Sequence, residues 1–315
     1  MSAAKAQVAG GHRLAELLDR ASEQARASHR PVLVSTVEPA PAVDPLEALA
    51  HASSNGGALA EQAAAGRMYW TRPAEGFALA GLGSVAELTS AGSLRFETLD
   101  REWAALVRCA VTDDASGGAP GVGPLLMGGF AFEPEGPRTT RWRGFPSALL
   151  SLPRLQHTLT AGDGWLTTSI LVGPDGAPDV DLTALSELRA QFVDALEQLT
   201  AQAAPATHRA TIAYDEALPS SDWRAAVSAA AASVRAGELE KVVLAREVRA
   251  TAQQPFSIAA AVRHLRAAYP DCYVFSIWRG SHAFVGASPE RLVRLDGRDV
   301  RTSSLAGSSP RGATP

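Results

Sequence analysis

Three places in the chain carry residue types that could do chemistry. Lys241 opens the apolar run Lys241–Val–Val–Leu–Ala245, where Val243 and Ala245 share its face at the period of two of a strand. A lysine there is either a strand-end residue that reaches water or a partly buried amine. Burial disfavours the charged form and makes an amine a usable base. Glu290 ends the run Gly286–Ala–Ser–Pro–Glu290, in a turn that glycine and proline fix. A carboxyl held in a rigid turn between apolar strands can stay neutral and donate a proton; the alternative is a turn-surface glutamate. Leu305–Ala–Gly–Ser–Ser–Pro–Arg–Gly312 leaves a strand as a glycine-containing loop, whose backbone N–H groups could cradle an anion or simply face water.

Other chemistries have less behind them. Gly81–Leu–Gly–Ser–Val–Ala86, with Asp100 further on, has the outline of a dinucleotide fingerprint and would make a nicotinamide-dependent oxidoreductase. Its strand starts a hairpin and no second βαβ unit follows, so a glycine turn is the better reading. The seven histidines form no H-x-x-x-H or H-x-H pair, and no G-x-S-x-G elbow exists. Cys109 and Cys272 are far apart, which excludes a disulfide framework or a cysteine zinc site and fits a reducing compartment. A net charge of −4 with no basic segment argues against a nucleic-acid surface. No apolar run is long enough for a membrane span and no signal peptide is visible, so the expectation is a cytoplasmic protein.

The elements that would position these residues read as α+β, with large, mostly antiparallel sheets packed by helices. Leu14, Leu17, Leu18 and Ala21 share one helix face, and residues 31–37 form a β-branched strand. Prolines break 38–45, and an Ala-rich helix or loop fills 46–66. Strands at 68–71 and 77–80 pair across a turn, followed by Gly81–Leu–Gly83 and a short helical piece. Residues 111–124 read as a mobile loop. Residues 125–132 read as a buried strand bent at its glycines, with further strands at 148–152 and 165–172. Leu182, Leu185, Leu188, Phe192, Leu196 and Leu199 form a helical stripe. The boundary lies within 201–219, giving an N-terminal region over 1–205 and the first part of a catalytic domain over 206–315. There Ser221 is the expected N-cap of a helix, with Asp222 in its first turn and Gly237 at its stop. A strand at 241–248 follows, then a helix capped by Ser257. Strands at 273–278 and 282–286 come next, then a hairpin around Asp296–Gly297.

Taken in order, Glu240–Lys–Val–Val–Leu–Ala–Arg246, Phe284–Val–Gly–Ala–Ser–Pro–Glu–Arg–Leu292 and Ser304–Leu–Ala–Gly–Ser–Ser–Pro–Arg–Gly312 resemble the chorismate-utilising enzymes. These are isochorismate synthase, salicylate synthase, anthranilate synthase component I and aminodeoxychorismate synthase component I. The resemblance is specific over about residues 220–315. It is softer upstream, at Tyr69–Trp70, Gly81–Leu–Gly83, Gly128–Gly–Phe130 and the stretch from Trp142 to Arg154. It implies an anthranilate synthase component I-like fold, incomplete at the C-terminus. Members that use water as nucleophile carry a lysine where Lys241 stands, whereas anthranilate synthases, which use ammonia, tend to have glutamine. Aminodeoxychorismate synthases commonly place a lysine where Ala306 stands. The Leu-Leu-Glu-Ser motif that binds feedback tryptophan is missing, since Leu17–Leu–Asp–Arg20 is not that motif. The likeness therefore points to isochorismate synthase, with salicylate synthase next and a non-catalytic fragment as a further alternative.

What the resemblance implies is a matched acid and base. Lys241 deprotonates water as it attacks C2 of chorismate, and Glu290 protonates the departing C4 hydroxyl. Ala306, Gly307 and Ser308 bind substrate, Gly307 through its backbone N–H. Mg²⁺ would hold a substrate carboxylate, but the family's metal-ligand glutamates are expected beyond Pro315, with none inside the chain. The expectation is thus a C-terminally truncated member, prone to aggregation and with little or no turnover on its own. Its product would serve menaquinone or siderophore synthesis, with the N-terminal likeness leaning toward menaquinone. Oligomeric state is not legible in the sequence.

Overall fold

The computed structural model describes residues 3–52, 57–136, 139–199 and 212–305. The chain divides into two compact units, one of Met1–Ala203 with Ile258–Pro315 and a second of Ala204–Ser257.

The first unit is built on an eight-stranded sheet. Its order is β13 (His282–Ser288), β12 (Tyr273–Arg279), β2 (Arg67–Arg72), β3 (Phe77–Leu82), β8 (Leu155–Thr160), β9 (Asp163–Val172), β1 (Val32–Ala40) and β5 (Val111–Asp114). Every neighbouring pair is antiparallel except β1 with β5. The architecture is α+β. Helices α1 (Ala3–Ser28), α2 (Leu46–Ala52), α3 (Gly57–Ala65), α5 (Leu182–Leu199) and α7 (Ile258–Ala268) cover one face. Their buried stripes, such as Leu185, Leu188, Phe192 and Leu196 of α5, meet Val34, Tyr69, Ala80, Ile170 and Val274 from alternate strand positions. Removing these side chains from water is the main term holding the sheet and helices together, at about 25 cal/mol per Å² of apolar surface. The α5 stripe starts where its pattern predicts, with Asp181 accepting the Ala184 N–H at 2.9 Å.

On the opposite face, β4 (Ala86–Ser90), β7 (Ala148–Leu152) and β6 (Met127–Phe130) form a three-stranded sheet in the order β4-β7-β6. Helix α4 (Arg95–Arg108) packs on it through Leu88, Leu99 and Ala148. Arg154 is a buried anchor: its guanidinium forks onto Asp179 at 2.9 and 2.6 Å and donates to the Ser169 carbonyl at 3.0 Å.

Several expectations need correction. Residues 258–288 do not continue a separate second domain after 206, because β12 pairs with β2 and extends the first unit's sheet. Residues 111–124 are not simply a mobile loop. Val111 is buried in β5, and the carbonyls of Gly121 and Gly123 accept hydrogen bonds from Gln156 at 3.0 and 3.1 Å. Of β6 only Met127 is buried, so it is not a buried strand. Strand β8 is invisible to a sequence pattern because Gln156, His157 and Thr158 are polar and yet fully buried.

The second unit contains β10 (Ile212–Glu216), paired antiparallel with β11 (Val248–Ala252), and α6 (Ser220–Arg235). Residues 241–247, expected as a strand, have no regular structure. A short apolar run forms a strand only where a partner ladder and a packing layer exist. Among the described residues neither is supplied there, and Val243 is 82% exposed. Helix α6 starts after Pro219 with no side-chain cap, and the hydroxyls of Ser220 and Ser221 donate to Glu216 and Asp222 instead. Asp222 does lie in the first turn, and Gly237 follows the helix at a φ of 76°.

Candidate active site

The hairpin β12–β13 carries Glu290 just past its end. It depends on Gly286, which is opposite Phe275: a Cβ there would lie 2.5 Å from the Phe275 ring. Ser288 ends β13 opposite Tyr273. Its hydroxyl accepts the Glu290 N–H at 3.2 Å and lies 3.4 Å from the Glu290 carbonyl, so the backbone around Pro289 is clamped. The Glu290 side chain is exposed, and its carboxylate has no hydrogen bond or ion pair among the described residues. Lys241 lies in residues 241–247 and is also exposed. It belongs to the second unit and Glu290 to the first. Ala306, Gly307 and Ser308 lie outside the described residues.

An apolar cleft of about 790 Å³, not foreseen from the sequence, opens on the face of the large sheet that carries β6. Trp70, Phe275, Ile277 and Phe284 supply its floor, β6 one wall, and Trp142 and Phe145 another. Trp142 meets Phe284 edge-on, with ring centroids 5.1 Å apart. Among the described residues Glu133 is the one carboxylate lining it, and Glu290 is not part of it. The sequence signal for the cleft is a register one: Trp70 and Phe275 are aligned across β2 and β12, on the face opposite Tyr69 and Val274.

A second polar cluster lies under the helices. Asp44 accepts from the Tyr69 hydroxyl at 3.2 Å and from Arg266 at 2.5 Å. Burial, with the Asp44 charge behind it, pushes the Tyr69 phenol far up. Burial also lowers His157, whose Nε2 lies 2.9 Å from the Pro41 carbonyl. These groups fasten α2 and α7 to the sheet.

The weaker dinucleotide alternative fails on the geometry. Gly81–Ala86 opens no helix: β4 follows it, and Gly81 is glycine because Pro153 would lie 2.6 Å from its Cβ. The dinucleotide fingerprint, and the oxidoreductase with it, falls for that reason. Among the described residues no group of three or more His, Cys, Asp or Glu could hold a metal ion, so these residues do not fit Mg²⁺. No described helix is long and apolar enough to cross a membrane.

The model of the chorismate binding enzyme family matches residues 19–315. The chain belongs to the chorismate binding enzymes. Among its relatives in this family is isochorismate synthase MenF of Bacillus subtilis, 32% identical over 251 residues, or 78% of this chain and 52% of that protein. A second is the salicylate biosynthesis isochorismate synthase of Pseudomonas aeruginosa, 33% identical over 304 residues, or 96% of this chain and 59% of that protein. The chain thus spans somewhat over half the length of these curated relatives. The solved structure of the menaquinone-specific isochorismate synthase MenF from Escherichia coli shares the fold. It matches with a TM-score of 0.54 at 22% identity, over 88% of this chain and 56% of that one.

Proposed function

We propose that the protein acts as an isochorismate synthase, adding water at C2 of chorismate with loss of the C4 hydroxyl. The observation that carries this reading is the alignment of most of the chain, at 32% and 33% identity, with two proteins named for that activity. Lys241 and Glu290 support it from the residue side, as an amine base and a carboxylic acid in the segments that resemble the family's motifs.

In the proposed step the neutral Lys241 amine takes a proton from water as the C2–O bond forms. The ring double bonds shift, the C4–O bond breaks, and the protonated Glu290 gives its proton to the hydroxyl, which leaves as water. One water enters and one departs, so the reaction is a net isomerisation, and the acid–base pair resets by exchange with solvent. Ala306, Gly307 and Ser308 are proposed to bind substrate, with the Gly307 N–H meeting a substrate carboxylate. Glu290 is suited to its role by a fixed backbone and an unengaged carboxyl. Mg²⁺ belongs to the family reading, and no step is assigned to it. The product would serve menaquinone or salicylate formation, the uses named for the Escherichia coli and Pseudomonas aeruginosa relatives.

The test is a chimera in which residues 19–315 replace the matching part of the Bacillus subtilis relative. It should convert chorismate to isochorismate. Lys241→Ala or Glu290→Gln should each lower kcat by about 10²–10⁴-fold, the usual worth of a general base or acid. Full activity in either variant sinks the assignment.

A further inference from the structure

We propose that Tyr273 is a positioning residue for Glu290, acting through Arg291. This rests on the reading of Glu290 as the acid. The turn bearing Glu290 is held on both sides, before it through the strand register of Tyr273 and after it through the Tyr273 hydroxyl. Before it, Ser288 accepts the Glu290 N–H at 3.2 Å, and Ser288 is the direct cross-strand partner of Tyr273. After it, the Arg291 Nε donates to the Tyr273 hydroxyl at 3.1 Å.

Tyr273 is itself fixed from the other side. Its ring lies against Trp70 with centroids 5.2 Å apart, and the Arg72 guanidinium sits 5.1 Å from the ring centre. Trp70 in turn meets Phe77 edge-on at 5.5 Å. A line of packed rings thus runs from β3 through β2 and β12 to the residue next to Glu290. Pro289 adds a fixed φ and no N–H donor, so the turn has few conformations once its ends are tied. The Glu290 carboxyl itself has no partner among the described residues, as befits a group that must meet a ligand. The sequence points to Glu290 and not to this hold, because Tyr273 and Arg291 are eighteen residues apart and meet only through the β12–β13 register.

The experiment uses the full chain and reads the Glu290 backbone amide by NMR-detected hydrogen exchange. Tyr273→Phe removes the hydroxyl and keeps the ring on Trp70. Arg291→Met removes the donor without touching the stack, so the bond is cut from either end. Each should speed exchange at Glu290 by about tenfold, the usual scale for losing one such hydrogen bond. The double variant should add nothing to either single change. Exchange at Val274 and Val285 in the same hairpin, and the melting temperature, should not move, which separates positioning from a structural role. Arg291→Lys, a shorter donor, should restore part of the protection. Unchanged exchange at Glu290 in both single variants, or effects that simply add, overturns the proposal. Dispensability of Glu290 in the chimera would instead remove the catalytic reading while leaving the hold intact.

Discussion

Two neighbouring glycines in β6 should respond oppositely to the same substitution. A Cβ added at Gly128 would lie 1.9 Å from the Leu149 carbonyl oxygen, 2.9 Å from its carbon and 3.0 Å from the α-carbon of Leu150. These are backbone atoms, so no rotamer change relieves the contact. An ordinary van der Waals separation near 3.4 Å requires the strands to part by roughly 1.5 Å, which stretches a ladder hydrogen bond beyond its useful length. The β6–β7 ladder has only four register pairs, Met127↔Ser151 to Phe130↔Ala148. Losing about two of its bonds at ~1 kcal/mol each, with part of the Met127 burial, puts Gly128→Ala at about 3 kcal/mol destabilising. Gly129 has nothing within 4 Å of its added Cβ. Gly129→Ala should therefore be neutral or stabilising by up to about 1 kcal/mol through the unfolded chain's lost entropy. Urea unfolding of the two variants, followed by tryptophan fluorescence, measures both. A difference under about 1 kcal/mol would refute the close approach as the reason for glycine at 128.

Arg154→Leu should cost about 3–5 kcal/mol in the same assay, because it leaves Asp179 and the Ser169 carbonyl without their buried partner. His157 makes stability depend on pH. Its folded-state pKa lies below the ordinary 6.5, so the unfolded chain takes up the proton first. The contribution should be complete above about pH 6.5 and lost as pH falls through the lower folded value. His157→Gln should flatten that slope below about pH 6.5, and an unchanged slope would remove His157 as its source. NADH should show no fluorescence change on titration with the chain, given that β4 stands where a phosphate-binding helix would have to begin.

Much of the first unit was legible in the sequence because its pattern is local. The α5 stripe, the 67–82 hairpin and the β12–β13 pair all announce themselves by period and turn residues. Strands β5 and β8 did not. The first is short and parallel to β1, and the second buries Gln156, His157 and Thr158, whose polarity reads as surface. The run at 241–247 failed in the opposite direction: its pattern is strand-like, but no described strand pairs with it. Glu290 was legible as a residue type in a fixed turn. Its hold by Tyr273 and Arg291 depends on strand register, which no spacing rule reveals.

The central claim is that water, activated by Lys241, is the nucleophile. The direct measurement is mass spectrometry of the product formed from chorismate by the chimera in ¹⁸O-labelled water with ammonium present. The account predicts isochorismate carrying one ¹⁸O at C2, lost together with turnover in Lys241→Ala. An aminated product, or ¹⁸O-labelled isochorismate formed undiminished by Lys241→Ala, would contradict it.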